Sequence, residues 1–277
     1  MKILAGIVAY KPDLNRLKEN INAIIHQVDK VLLFANGNDT YIQASSVKNH
    51  FDSIELVRSE QNEGIAYALE SIMEYATQNS YDWVYTIDQD SVSQPGLIDE
   101  YKKYINLPKA GILTCNIVDR NFKQDNGFPN GEKYREVEKC ITAGSFMNAT
   151  AYKHSDGYDS KMFIDGVDWD ICYNLRRHGY KIYKINYNGV LQEVGHGKNV
   201  KLLWKDYITY GESPLRNYYG TRNDVYLAKK YPEYISKGKT FVREIRTEVL
   251  ILLYEDQKWQ KIKNRWKGIN EGLKWHC

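Results

Sequence analysis

Short apolar runs alternate with stretches whose apolar residues recur at helical spacing through the first third of the chain, and few architectures accept that alternation. Ile3 to Tyr10 is an almost continuous apolar run, as in a strand buried on both faces. Pro12 ends it, and Leu14, Leu17, Ile21, Ile24 and Ile25 then return with helical period. Val31 to Ala35 reads as a second strand, closed by the turn signal Asn36-Gly37-Asn38. Ile54 to Val57 reads as a third strand and Trp83 to Ile87 as a fourth. Between them Gly64 to Ala76 reads as a helix with Ile65, Leu69, Ile72 and Met73 on one face. Strands alternating with helices predict an α/β fold with a mostly parallel central sheet flanked by helices. Ligands of such sheets bind beyond the carboxyl ends of the strands. The polar residues after each run are therefore the candidates for a site: Tyr10-Lys11, Asn36-Gly37, Asn62-Glu63-Gly64 and Asp88-Gln89-Asp90.

Further along, Gly111 to Val118 and Ile141 to Met147 read as strands, and residues 119–139 as a long polar loop. Asp168 to Gly179 reads as a helix with Gly179 at its C-cap, and the pattern from about Val200 onward is helical to the end. A chain of 277 residues suits one large domain with an appendage, and 43% hydrophobic residues exclude disorder. The net charge of +3 excludes a global nucleic-acid binder. Cys115, Cys140, Cys172 and Cys277 form no CxxC pair, so reduced thiols in a cytoplasmic protein are expected rather than a zinc or redox motif. The first apolar run lacks a cleavage site, and no run reaches the roughly 18 apolar residues of a membrane span.

Asp88 and Asp90 are two carboxylates at i and i+2 directly after a buried strand. Hard oxygen ligands suit Mg²⁺ or Mn²⁺, which also take substrate phosphates and stabilise the charge that develops on a diphosphate leaving group. The same pair also fits a solvated acidic loop. Asp168, at the start of a helix, fits an N-cap and equally a general base whose anion the helix dipole stabilises.

Several stretches in one order carry a family resemblance. They are Val8-Ala9-Tyr10-Lys11-Pro12, Asn36-Gly37, Asn62-Glu63-Gly64-Ile65-Ala66 and Thr86-Ile87-Asp88-Gln89-Asp90-Ser91. Gly157-Tyr158-Asp159 then leads to Phe163-Ile164-Asp165-Gly166-Val167-Asp168-Trp169-Asp170, and Ser213-Pro214-Leu215-Arg216-Asn217 with Arg222-Asn223 follows. With these the chain resembles the inverting family 2 glycosyltransferases of the GT-A fold, and among them the bacterial polysaccharide rhamnosyltransferases. The resemblance implies a GT-A domain over residues 1–200, with a donor half to about residue 118 and an acceptor half over 119–200, and a C-terminal helical extension over 201–277. It implies a nucleoside-diphosphate sugar donor, dTDP-rhamnose first, with UDP-galactofuranose, UDP-glucose or UDP-galactose as alternatives. The implied acceptor is a sugar hydroxyl of a surface polysaccharide or lipid-linked saccharide. Ala9, Tyr10, Asn36, Asn62, Gly64 and Asp88 would contact the donor, Asp90 would hold Mg²⁺ or Mn²⁺ and the diphosphate, and His196 would complete the metal site. Asp168 would be the base, and Asp165, Trp169 and Arg216 would meet the acceptor. Ala35 stands where the family often has an acidic residue that contacts the base, and Val167-Asp168 where it often has Glu-Asp, a change common in rhamnosyltransferase-like members. A rival function is a non-catalytic scaffold of the same fold, which the carboxylates at 88, 90 and 168 argue against.

The C-terminus carries a signal of its own. Trp259, Ile262, Trp266, Ile269 and Leu273 recur at spacings of 3, 4, 3 and 4, with Lys258, Lys261, Lys263, Arg265, Lys267 and Lys274 around them. Such a helix fits the inner face of the cell membrane, the protein body, or a second subunit in a homodimer.

Overall fold

The structure, a computed structural model, describes the whole chain except Asp52, residues 120–127, 129–130 and 193–196, and Cys277. The chain forms two compact units: Met1–Lys161 with Asp168–Glu193, and Met162–Val167 with Val194–Cys277.

The first unit is built on strands β1 (Ile3–Ala9), β2 (Lys30–Ala35), β3 (Ile54–Arg58), β4 (Trp83–Asp88), β5 (Val92–Ser93), β6 (Ala110–Asp119), β7 (Tyr134–Val137), β8 (Ser145–Asn148) and β9 (Lys181–Gln192). Helices α1 (Leu14–Ile24), α2 (Asn38–Lys48), α3 (Gly64–Gln78), α4 (Leu97–Lys102), α5 (Ala149–Lys153) and α6 (Val167–Arg177) alternate with them. The strand order is β3-β2-β1-β4-β8-β6-β9-β5, with β7 on β9. All pairs from β3 to β4 are parallel. Beyond β4 the β4–β8, β8–β6, β7–β9 and β5–β9 pairs are antiparallel and β6–β9 is parallel.

Alternation along β1 explains its unbroken apolar run. Ile3, Ala5, Ile7 and Ala9 join the core that includes Leu17, Ile21 and Ile24 of α1. Gly6 points the other way, where a Cβ would lie 2.5 Å from Ile72 Cγ2 of α3. Both faces of the strand are thus covered by helices. At the centre Trp83, Phe146 and Tyr101 form a continuous stack, with ring centroids 4.8 and 5.1 Å apart.

Several expectations shift. The strand expected at Ile141–Met147 begins only at Ser145, because Gly144 turns the chain at φ +78°. The polar stretch 119–139 contains the edge strand β7, and residues 120–127 and 129–130 lie outside the described residues. The chain after Val200 is not helical throughout. Strands β10 (Lys198–Leu202) and β11 (Lys205–Thr209) form an antiparallel hairpin around Leu203 and Trp204. The Val, Tyr, Ile and Thr of these segments favour strands, and Leu203 at φ +56° makes the tight turn.

Helices of the second unit begin with α7 (Pro214–Lys230), whose N-cap Ser213 accepts from the Arg216 amide. Then follow α8 (Lys237–Tyr254) and α9 (Lys258–Lys274). Helix α9 does not pack its apolar stripe inward. Its buried residues are Lys261, Arg265, Gly268 and Gly272. The two glycines lie on the α7 backbone, with a Cβ on Gly268 only 2.5 Å from Tyr218 O. Lys261 reaches Glu255 at 2.8 Å and Arg265 reaches Glu244 at 2.6 Å, all four buried or nearly so. Close approach of the two helix backbones is what brings these cations to their partners.

Gly268→Ala should therefore destabilise the protein by about 1–3 kcal/mol, because the obstructing atoms are backbone and cannot rotate away. Denaturant unfolding checks this, and an unchanged midpoint would contradict the packing described.

Candidate functional site

The parallel strands end level with one another. Ala9 pairs with Ala35, Val8 with Asp88 and Ala35 with Arg58, so the segments that follow share one edge of the sheet. Side chains lock these segments together. Gln89 Oε1 accepts from the Tyr10 amide at 2.8 Å and its Nε2 donates to Tyr10 O at 3.2 Å, joining the ends of β1 and β4. The Lys11 amide donates to Thr40 Oγ1, and Tyr10 presents its ring to solvent while Ala9 is buried.

Asn36 is buried and its side chain is fully engaged within the protein. Nδ2 donates to Gly64 O at 3.1 Å, and Oδ1 accepts from Ser59 Oγ at 3.1 Å and from the Glu63 amide at 2.9 Å. Asn36 thus braces the ends of β2 and β3 against the start of α3. Asn62 Oδ1 accepts from the Gly64 amide at 3.0 Å, which folds the loop onto the helix it precedes. Gly64 itself stands at φ +88°, a conformation a side chain would strain.

Asp88 is half-buried at the end of β4, and Asp90 is exposed. Gln192, the last residue of β9, donates to Asp88 Oδ2 at 3.1 Å, and Asn20 of α1 donates to the Asp88 carbonyl at 2.6 Å. Burial pushes the Asp88 carboxyl up to about 6, and the negative charges of Asp90 and Asp168 push in the same direction. Asp168 therefore lies within electrostatic reach of the Asp88-Gln89-Asp90 turn. It occupies the first turn of α6, half-buried, with Oδ1 accepting from the Trp169 amide at 3.0 Å. The Trp169 ring lies beneath the Lys139 ammonium, 3.3 Å from its centroid. Asp170, two residues beyond Asp168 along the helix, is fully buried.

Among the described residues no group of three or more His, Cys, Asp or Glu stands ready to hold a metal ion. A nucleotide-borne Mg²⁺ or Mn²⁺ takes only one or two carboxylates from the protein and the rest from phosphate and water. The exposed Asp90 beside Asp88, in a turn already crowded with negative charge, is a donor set of that kind. His196, expected as a further ligand, lies outside the described residues.

In the second unit, Arg216 Nη2 meets Asp165 Oδ1 at 2.7 Å and Nε lies 3.5 Å from Oδ2. Two of the three expected acceptor residues are thus one ion pair. Asp165 belongs to a contorted stretch: Phe163, Asp165 and Gly166 stand at φ +59°, +68° and +75°. Left-handed residues other than glycine cost on the order of 1–3 kcal/mol each and persist where the surroundings hold them. Here Asn223 does the holding, with Nδ2 within 2.9 Å of the carbonyls of Met162, Ile164 and Asp165. Arg222 adds a bond to Met162 O at 2.9 Å, and Phe163 stacks on Tyr219.

Sequence reading found the carboxylates and missed the residues that aim them. Asn20 is detectable as the one polar member of the buried face Leu17, Asn20, Ile21, Ile24 of α1. Gln192 ends a strand that the sequence pattern did not declare, so it carried no comparable signal.

Comparison with known proteins agrees with this fold. The family described as Glycosyl transferase family 2 matches residues 5–166. The chain is 23% identical to dTDP-rhamnosyl transferase RfbF of Shigella flexneri, over 98% of its own length and 95% of the relative's. Solved structures share the fold at low identity. The structure of GalNAc-T7 with UDP, GalNAc and Mn²⁺ matches with a TM-score of 0.66 at 12% identity, over 99% of this chain and 56% of that one. S. aureus TarS matches with a TM-score of 0.57 at 12% identity, over 99% of this chain and 44% of that one. Its 1–349 fragment with UDP-GlcNAc matches with a TM-score of 0.62 at 13% identity, over 98% of this chain and 81% of the fragment. The chain thus spans about half the length of full TarS and of GalNAc-T7. Its sheet has the GT-A form, and the chain belongs to the family 2 glycosyltransferases.

Proposed function

We propose that this chain transfers a glycosyl group from a nucleoside-diphosphate sugar to a sugar hydroxyl, inverting the anomeric carbon. The observation that supports the reading is the Asp88-Gln89-Asp90 turn at the carboxyl edge of the sheet, with the Asp168 carboxylate of α6 within electrostatic reach of Asp88. Asp168 lies beyond the residues the family matches, so its role rests on this geometry and on its place at a helix N-terminus.

Asp168 takes the proton of the acceptor hydroxyl as its oxygen attacks the anomeric carbon. A carbon–oxygen bond forms to the acceptor while the bond to the diphosphate breaks. The electron pair of the broken bond leaves with the diphosphate, and the proton ends on the Asp168 carboxylate. Asp90, with Asp88 beside it, would hold Mg²⁺ or Mn²⁺, which supplies positive charge to the leaving diphosphate. The Asp88 carboxylate would accept a hydrogen bond from a hydroxyl of the sugar or ribose. Tyr10 and Asn62 line the nucleotide side, whereas Ala9 and Gly64, both buried, act by shaping the backbone there. Asn36 acts on the donor indirectly, by holding the loop of Asn62 and Gly64. Trp169 offers an aromatic face to an acceptor sugar. In the second unit the Asp165–Arg216 pair is the other acceptor candidate.

The similarity to dTDP-rhamnosyl transferase RfbF, which runs the length of both chains, favours dTDP-rhamnose as donor. A surface polysaccharide or lipid-linked saccharide follows as acceptor from the resemblance to polysaccharide rhamnosyltransferases. A UDP-sugar is the second reading, favoured by the fold shared with TarS bound to UDP-GlcNAc and with GalNAc-T7 bound to UDP.

Thermal unfolding with nucleotide sugars separates the two. The preferred donor with Mn²⁺, at 100 times its dissociation constant, should add about 2.7 kcal/mol of stability. Stabilisation by dTDP-rhamnose identifies the first reading and by a UDP-sugar the second, while no shift with any nucleotide sinks both. Asp168→Asn should lower kcat by roughly 10²–10⁴ and leave donor affinity near wild type. Asp90→Ala should remove the response to Mn²⁺. Transfer at the wild-type rate in either variant would overturn the assignment. Asn36→Ala removes three buried hydrogen bonds and should cost about 1–3 kcal/mol of stability while raising the donor KM. A normal KM at reduced stability would make its role purely structural.

A further inference from the structure

Helix α9 is turned against its sequence pattern, and that inversion leaves a surface to explain. Its packed face holds Lys261 and Arg265, 3% and 4% exposed, neutralised by Glu255 and Glu244. Its apolar stripe faces outward instead: Trp259 is 79% exposed, Trp266 54% and Leu273 58%. These three residues stand at i, i+7 and i+14, on one line along the helix. Helix α8 continues the apolar surface with Phe241, Val242 and Ile245, all exposed. Between the helices runs a groove of about 420 Å³ lined by Phe241, Ile245, Trp266, Ile269 and Leu273, with Val225 of α7 at its floor. Exposed apolar surface of this kind on a soluble unit marks a contact with something else.

The charges at its margin say what. Lys263, Lys267 and Lys274 lie at i, i+4 and i+11 along the stripe's outer flank, and all three are exposed. Lys237 and Lys239 are exposed at the start of α8. Two carboxylates, Glu244 and Glu248, also line the groove, and each carboxylate of the two helices faces a cation. Glu244 holds Arg265, Glu271 accepts from Tyr218 and faces Arg222, and Glu248 lies within reach of the Arg265 charge. A second copy docked on this face about a two-fold axis would bring exposed lysines to lysines, while the carboxylates of the groove, Glu244 and Glu248, already face Arg265 of their own chain. An anionic lipid surface is complementary in both respects. Outward tryptophan and leucine beside a lysine row match a helix lying in the interface plane.

We infer that the outer face of α8 and α9 docks on an anionic bilayer. Trp259, Trp266 and Leu273 enter the headgroup boundary, the lysine row pairs with lipid phosphates, and the groove receives acyl-chain segments. Docking holds the enzyme at a membrane without a spanning helix. Among the described residues no helix is long and apolar enough to cross one.

Sedimentation of the full chain with vesicles tests this. It should pellet with vesicles of equal phosphatidylglycerol and phosphatidylcholine, stay in solution with phosphatidylcholine alone, and be released by salt. Trp266→Ser with Leu273→Ser should weaken partitioning at least about tenfold. Lys263→Gln with Lys274→Gln should weaken it on the order of thirtyfold at low ionic strength, from about 1 kcal/mol per lysine. Both pairs are exposed, so melting temperature and donor turnover in solution should match wild type, which separates this inference from the catalytic reading. No pelleting with phosphatidylglycerol vesicles overturns it. So does pelleting that neither pair weakens, or a dimer seen by light scattering that the Trp266/Leu273 pair disrupts in a chain that ignores vesicles.

Discussion

The in-register parallel pairing of β1 with β2 on one side and β4 on the other is the constraint on which the catalytic edge depends. Because Val8 stands opposite Asp88 and Ala9 opposite Ala35, three loops from distant parts of the sequence emerge side by side. A slip of one residue would turn Gly6 away from Ile72 and drive a core residue of β1 into α3, so packing enforces the register. Once the strands are level, short polar bridges suffice to complete the edge. Gln89 joins two strand ends through a pair of bonds to the backbone of one residue, and Asn36 joins three segments.

Much of this edge was legible in the sequence, for a definite reason. Strands buried on both faces leave continuous apolar runs, and the polar residues that interrupt them must sit at their ends. Asp88, Asp90, Asn36 and Asn62 are found that way without seeing a contact. The second half of the sheet was less readable. β9 mixes Lys, Asn and Tyr with its apolar residues, because it borders the sheet margin with β5 and β7, and its pattern resembles a loop. Helix α2 has almost no apolar face and hides in the same way. The sequence also cannot say whether a polar residue faces a ligand or a neighbour. Asn36 and Arg216 both turned out to be committed within the protein.

The left-handed turns at Phe163 and Asp165 show how local strain is maintained. One amide group, that of Asn223, is shared among three carbonyls that no regular element satisfies. Sequence pattern placed Asn223 within the resemblance and gave no hint of this work, because the carbonyls it serves lie some 60 residues earlier in the chain.

Helix α9 is in effect a supply of counter-ions. Glu244 and Glu255 are held in low-dielectric surroundings; Lys261 of α9 pairs with Glu255, and Arg265 of α9 joins Arg243 on Glu244. A version of the protein shortened before Lys258 would therefore not merely lose an exposed appendage. It would take Lys261 from Glu255 and Arg265 from Glu244, two enclosed carboxylates, and uncover the α7 backbone where the two glycines rest, so this helix acts as a keystone and not as a tail.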